Sequence, residues 1–189
     1  KPENTGSGMR KYFHLILLAE TETGYRNLMV LCSKGYTEGM YYKPRIDEEL
    51  LAQYSEGLIC LSACLAGELP TLLLHGKRAE AEAHVRRYRS IFGSNNYFIE
   101  LQKHGLADED KVAPMLIEIA RKFGIPMAVT NDAHYAEQKD AVAQDILLCI
   151  GMKKNRSDTN RMKFETDQFY LKSAEEMAEL FPGYPEMLL

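Results

Sequence analysis

An α/β fold with parallel strands and outer helices is predicted by three observations: short apolar runs alternate with helical patterns, the run at residues 125–129 is apolar throughout, and helix-capping residues sit at the joints. The first strand-like run covers residues 12–19 and is followed by a helical pattern over 25–34. The second, 58–62, leads into helical stretches at 67–75 and 79–92. The third, 97–101, precedes a helix over 109–123, with Asp108 as its expected N-cap and Gly124 as its terminator. Pro114 is the irregularity of that helix, placed in a first turn or at a bend. The fourth run, 126–130, precedes a helix over 140–150, and the fifth, 169–171, precedes one over 174–180, where Ser173 and Glu176 have capping-box spacing.

Five strands are fewer than a closed eightfold barrel of about 250 residues needs. The 189 residues are therefore expected to form one partial domain, with a connector-like start at 1–10 and an end at 185–189 that stops within a helical pattern. A hydrophobic content of 46% is enough for a buried core, while the longest apolar stretches, 15–19 and 146–150, are far too short to span a bilayer. The opening residues have no signal-peptide pattern, so the expected place is the cytoplasm, without a membrane partner. The four cysteines fit no zinc-ribbon spacing, and Cys32, Cys60 and Cys149 are assigned to packing.

A net charge of −4 argues against a surface that traps nucleic acid everywhere, and leaves room for a local basic patch. The run at residues 153–163 carries five basic side chains and one acid, which makes Lys153, Lys154 and Arg156 candidates for phosphate contact. A solvated loop accounts for the same charges. Arg86, Arg87 and Arg89 are balanced by Glu80 and Glu82.

The chemistry centres on Thr130-Asn131-Asp132-Ala133-His134-Tyr135, directly after the apolar run, because α/β folds place catalytic groups past the carboxyl ends of their strands. If the extended backbone continues, Asp132 and His134 share parity and point to one side, able to grip one cation. A capping Asp beside a surface His would read the same way. His14, in the first strand, and Cys64, just after the second, add imidazole and thiolate, the donors that zinc and related metals accept. Parallel topology would bring all four to one mouth. His104 follows the third strand, and His75 and His84 lie in helices rich in charge, where a solvated face is expected.

These segments resemble the polymerase and histidinol phosphatase (PHP) domain, in the version found near the N-terminus of bacterial replicative DNA polymerase III alpha subunits. The resemblance rests on His14 to Ala19 with Thr23 to Leu28, Leu61 to Glu68, Tyr97 to His104, Thr130 to Tyr135, and the stretch from Asn160 to Met177, and so covers essentially the whole chain. It implies a (β/α)7 barrel holding up to three divalent metal ions, zinc or manganese, with magnesium as a further choice. The implied ligands are His14, Cys64, Asp132 and His134, the last two also catalytic; the resemblance carries no ligand role onto His104, which is read from its place after the third strand as lying behind the ligands or facing substrate. The family's first ligands form a His-x-His motif that this sequence lacks, so the first part of the domain is expected to precede Lys1 and the fragment alone to be inactive. The implied function is that of part of a DNA-directed DNA polymerase, a nucleotidyltransferase in DNA replication, with metal-dependent 3′–5′ exonuclease proofreading in the complete domain. Its partners would be polymerase domains of the same chain, DNA and other replicase subunits. The alternatives are a module that braces the polymerase without hydrolysis and a free-standing phosphoesterase.

Overall fold

The structure, a computed structural model, describes residues 12–184, so the connector-like start and the final residues 185–189 lie outside the described residues. The described chain divides into two compact units. One comprises the residues up to Glu100 with Pro114–Met127, and the other comprises Leu101–Ala113 with the residues from Ala128 onward. A four-stranded sheet runs in the order β1 (Ile16–Ala19), β2 (Leu58–Leu61), β3 (Tyr97–Leu101), β4 (Met127–Val129).

β2 and β3 pair in parallel, with Cys60 opposite Tyr97. β4 follows β3 in the same sense: Ile99 N–H donates to Pro126 O at 2.9 Å, and Thr130 N–H to Leu101 O at 3.1 Å. The expected α/β class with a mostly parallel sheet and helices therefore holds. β1 differs, since it pairs antiparallel to β2, Ile16 facing Leu61 and Ala19 facing Leu58. The connection between β1 and β2 contains two helices, α1 (Glu22–Thr37) and the unpredicted α2 (Glu48–Gln53). The pair returns the chain to the end where β1 finished, and Glu20 N–H donates to Gly57 O at 2.9 Å. Gly24, in the first turn of α1, packs so closely there that a Cβ would sit 1.8 Å from Gly57 O.

Thr21 caps α1 by accepting from Gly24 N–H at 3.1 Å, and Asp47 caps α2 by accepting from Leu50 N–H at 2.8 Å. After β2 come α3 (Glu68–Leu74) and α4 (Arg78–Phe92), whose buried residues Ala81, Val85, Tyr88 and Phe92 form a stripe at helical spacing. That stripe joins Leu58, Cys60, Tyr97 and Ile99 in the core. Cys149 is buried as expected, but Cys32 is exposed, because α1 buries the neighbouring Leu31.

α5 (Ala107–Phe123) begins before the expected N-cap, which leaves Asp108 inside its first turn. Pro114 lies well past that turn and the helix runs through it. Gly124 ends α5 with φ +60°, as expected. α6 (Ala141–Met152) follows a short 3-10 turn, and α7 (Ala174–Leu180) begins at Ser173, which accepts from Glu176 N–H at 3.3 Å while the Glu176 side chain accepts from Ser173 N–H at 2.8 Å. The strand expected at 169–171 is reduced to a parallel bridge between Tyr170 and Tyr135.

Candidate metal centre

In the first unit, His14 meets Cys64, with Nδ1 3.8 Å from Sγ. His14 is held beside the loop after β2, where its N–H donates to Ala66 O at 3.0 Å and it bridges Gly67. The loop is tightly wound: Gly67 N–H donates to Cys64 O at 2.7 Å, and Ala63 adopts φ +64°. A left-handed conformation costs an alanine about 1–2 kcal/mol, so the surrounding contacts must impose it. Gly67 is required because a Cβ there would lie 2.2 Å from Ser62 O.

A cavity of about 580 Å³ opens beside His14 and is lined also by Ser62, Glu48, Glu68, His84 and Tyr88. His84 is only 2% exposed, which overturns the solvated face expected from its charged neighbours. It stacks on Tyr88 with ring centroids 4.1 Å apart. Its Nδ1 lies 3.3 Å from Glu68 Oε2 without an aligned hydrogen bond. Glu48, Glu68 and His84 bring three ligand atoms within 4.8 Å of one another. Arg87 occupies the same charge, with Nε 3.0 Å from Glu48 Oε2 and Nη2 3.6 Å from Glu68 Oε1. The guanidinium there answers the carboxylates as a cation would. His75 is exposed as expected, its Nδ1 2.8 Å from Thr71 O.

In the second unit, Asp132 Oδ1 lies 3.3 Å from His134 Nε2, and both side chains are about half open, at 42% and 40% exposure. The backbone leaves β4 in a turn, with Ala133 N–H donating to Asn131 O at 2.9 Å. The two side chains thus meet through a bend and not through strand parity. The bend is anchored on residues 169–171: His134 N–H donates to Phe169 O at 2.8 Å, and Asn131 Nδ2 to Tyr170 O at 2.9 Å. His104, 1% exposed, stacks flat on Phe169 at 4.6 Å. Its Nδ1 is 2.8 Å from Glu109 Oε1, and its own N–H donates to Glu109 Oε2 at 2.6 Å. Burial would raise the Glu109 carboxyl, but the His104 ring and backbone beside it hold it below the usual carboxylate range.

Both donor pairs fit a transition-metal ion. Bond lengths of about 2.0–2.3 Å around a tetrahedral zinc place neighbouring N and O donors roughly 3.3 Å apart and N and S donors roughly 3.6 Å apart. The observed edges are 3.3 Å and 3.8 Å. The first pair belongs to one compact unit and the second to the other.

The basic run is partly spoken for. Arg156 Nε and Arg161 Nη2 each reach Asp145 Oδ2 at 3.1 Å, whereas Lys153 and Lys154 are exposed. Arg161 first, then Arg156, hold the Asp145 carboxyl below its ordinary value.

The family model for the PHP domain matches residues 3–104, more than half of the chain. The chain belongs to the PHP family. The match contains His14 and Cys64, and the Asp132 to His134 turn lies beyond it. The DNA polymerase III subunit alpha of Treponema pallidum (strain Nichols) is 72% identical over 180 residues, 95% of this chain and 15% of that protein. The subunit of the same name from Borreliella burgdorferi is 49% identical over 176 residues, covering 93% of this chain and 15% of its own length. That from Deinococcus radiodurans is 48% identical over 175 residues, covering 93% and 13%. This PHP chain thus spans roughly one seventh of the length of the curated relatives it matches. None of its described helices is long and apolar enough to cross a membrane.

Proposed function

We propose that this PHP chain serves a DNA polymerase III alpha subunit in bacterial DNA replication and that its own chemistry is metal-dependent phosphodiester hydrolysis, with 3′–5′ exonuclease proofreading as the concrete form. The observation that carries the reading is the pair of donor edges, His14 with Cys64 and Asp132 with His134, whose spacings suit divalent cations. The whole 189 residues are taken as one partial domain of a longer cytoplasmic polymerase chain, with DNA and other replicase subunits as partners. The similarity to polymerase subunits over 93–95% of the chain supports this over a free-standing phosphoesterase.

His14 and Cys64 offer imidazole nitrogen and sulfur, a set that favours zinc, while Asp132 adds the negative charge that also accepts manganese or magnesium. When bound, such cations lower the pKa of water and offset charge on the phosphate. His134 presents Nε2 beside Asp132, its ring set 4.7 Å from Phe164 and 5.9 Å from Phe169, which limits its rotation. Lys153 and Lys154 are exposed basic groups offered to a nucleic-acid backbone.

The test is Asp132→Asn in the longer polymerase chain, because the amide keeps the carboxylate's shape and loses its charge. Exonuclease rate should fall by at least about a hundredfold with primer extension and melting temperature unchanged. Unchanged exonuclease activity removes Asp132 from the chemistry. Joint loss of melting temperature and primer extension identifies a metal whose binding energy is folding energy, and with it the bracing role.

A further inference from the structure

The imidazole of His104 is buried between two partners that leave it one hydrogen-bonding arrangement. Glu109 is a carboxylate that accepts at both oxygens, one from the His104 backbone N–H and one facing Nδ1 at 2.8 Å. On the other side Asp132 N–H points at Nε2 across 3.2 Å. A backbone amide only donates and an ionised carboxylate only accepts, so Nδ1 must carry the hydrogen and Nε2 the lone pair. The residue has no freedom to turn: Phe169 covers its face with rings 4° from parallel, and Thr166 Oγ1 donates to its carbonyl at 2.6 Å.

We infer that His104 is a positioning residue: it accepts the Asp132 backbone N–H through Nε2 and so fixes the turn on which Asp132 and His134 face each other. This rests on the reading of those two residues as metal ligands. His104 touches neither side chain of the pair through its hydrogen bonds; it acts on the backbone between them and the end of β4. Phe169 completes the support, because the same ring stacks on His104 and lies edge-on to His134. Groups placed behind metal ligands in this way typically change metal affinity by about 10–100-fold when removed.

The experiment compares His104→Asn with His104→Gln in the longer polymerase chain. Asparagine keeps a donor near Nδ1 for Glu109 and has nothing at the Nε2 position, whereas glutamine extends an amide oxygen toward it. Two quantities are read: hydrogen exchange of the Asp132 amide without metal, and zinc affinity by competition with a chelator. The Asp132 amide should be protected in the native protein, exchange at least about tenfold faster in His104→Asn, and regain part of its protection in His104→Gln, with zinc affinity following the same order over about 10–100-fold. A freely exchanging Asp132 amide in the native protein overturns the inference without any variant. Equal loss in both variants, or loss in neither, overturns it too. If the native protein protects the Asp132 amide and the two variants order as expected while zinc binds none of the three, the clamp stands and the metal reading of Asp132 and His134 falls.

Discussion

Glu68 shows how one buried pair ties stability to pH. Burial alone would push its carboxyl up, but the His84 imidazole and then the Arg87 guanidinium hold it below the ordinary value of 4.5. A carboxyl lowered on folding binds fewer protons in the native state, so its contribution is complete above 4.5 and disappears as the pH falls through the lowered folded value. Glu68→Gln should therefore cost about 1–2 kcal/mol at pH 7, less than a fully buried ion pair because a quarter of the side chain remains exposed, and the gap in melting temperature should close as the pH drops below 4.5. A gap that stays constant from pH 7 to pH 3 would dismiss the pair as a source of stability. The buried position of His84 was readable from spacing, since Ala81, Val85 and Tyr88 mark the apolar stripe on either side of it. Counting the Arg and Glu of that helix pointed the wrong way, because such side chains can flank the apolar stripe, as Arg87 does in reaching Glu68, and leave His84 buried.

At the scale of elements, the loop after β2 depends on one absent side chain. Gly67→Ala would drive a Cβ against the Ser62 carbonyl, backbone against backbone, with no flexible atom to yield. The expected cost is about 1–3 kcal/mol, as for overpacking in a core, with loss of the His14 to Cys64 contact. Thermal melting and a zinc-competition assay would check both; an unchanged melting temperature means that the loop is softer than its contacts imply. Ser173→Ala should cost about 1 kcal/mol by removing half of the capping box of α7. That cap was legible because a box has fixed residue types at fixed spacing. The direction of β1 was not, because antiparallel pairing with β2 leaves no mark in the composition of either strand, and α2, six residues long, is too short to show periodicity. Nor does any residue type announce the φ of +64° at Ala63, a conformation that the sequence marks only when glycine occupies it.

For the whole molecule, charge decides what the chain can do with DNA. With 27 acidic and 23 Lys and Arg side chains, its mean field opposes a polyanion, so any contact must come from a local excess of positive charge. Sequence alone counts Lys153, Lys154 and Arg156 as equals, but Asp145 pairs with Arg156 and Arg161 and spends their charge within the fold. The Asp132 and His134 pair was legible as a motif, whereas the supports behind it were not, because Glu109 and Phe169 are brought to His104 by folding and bear no distinctive spacing. On the proposed reading, in a polymerase chain that contains these residues, Lys153→Ala with Lys154→Ala should weaken binding to primed DNA and lower the slope of log affinity against log salt by about 1–2, each phosphate contact contributing roughly 0.7–0.9. Arg156→Ala should leave that slope within error and instead lower the melting temperature slightly, since an exposed ion pair stabilises only weakly. A slope that answers to Arg156 and ignores the two lysines would place the phosphate contact on the arginine and break the division drawn by Asp145.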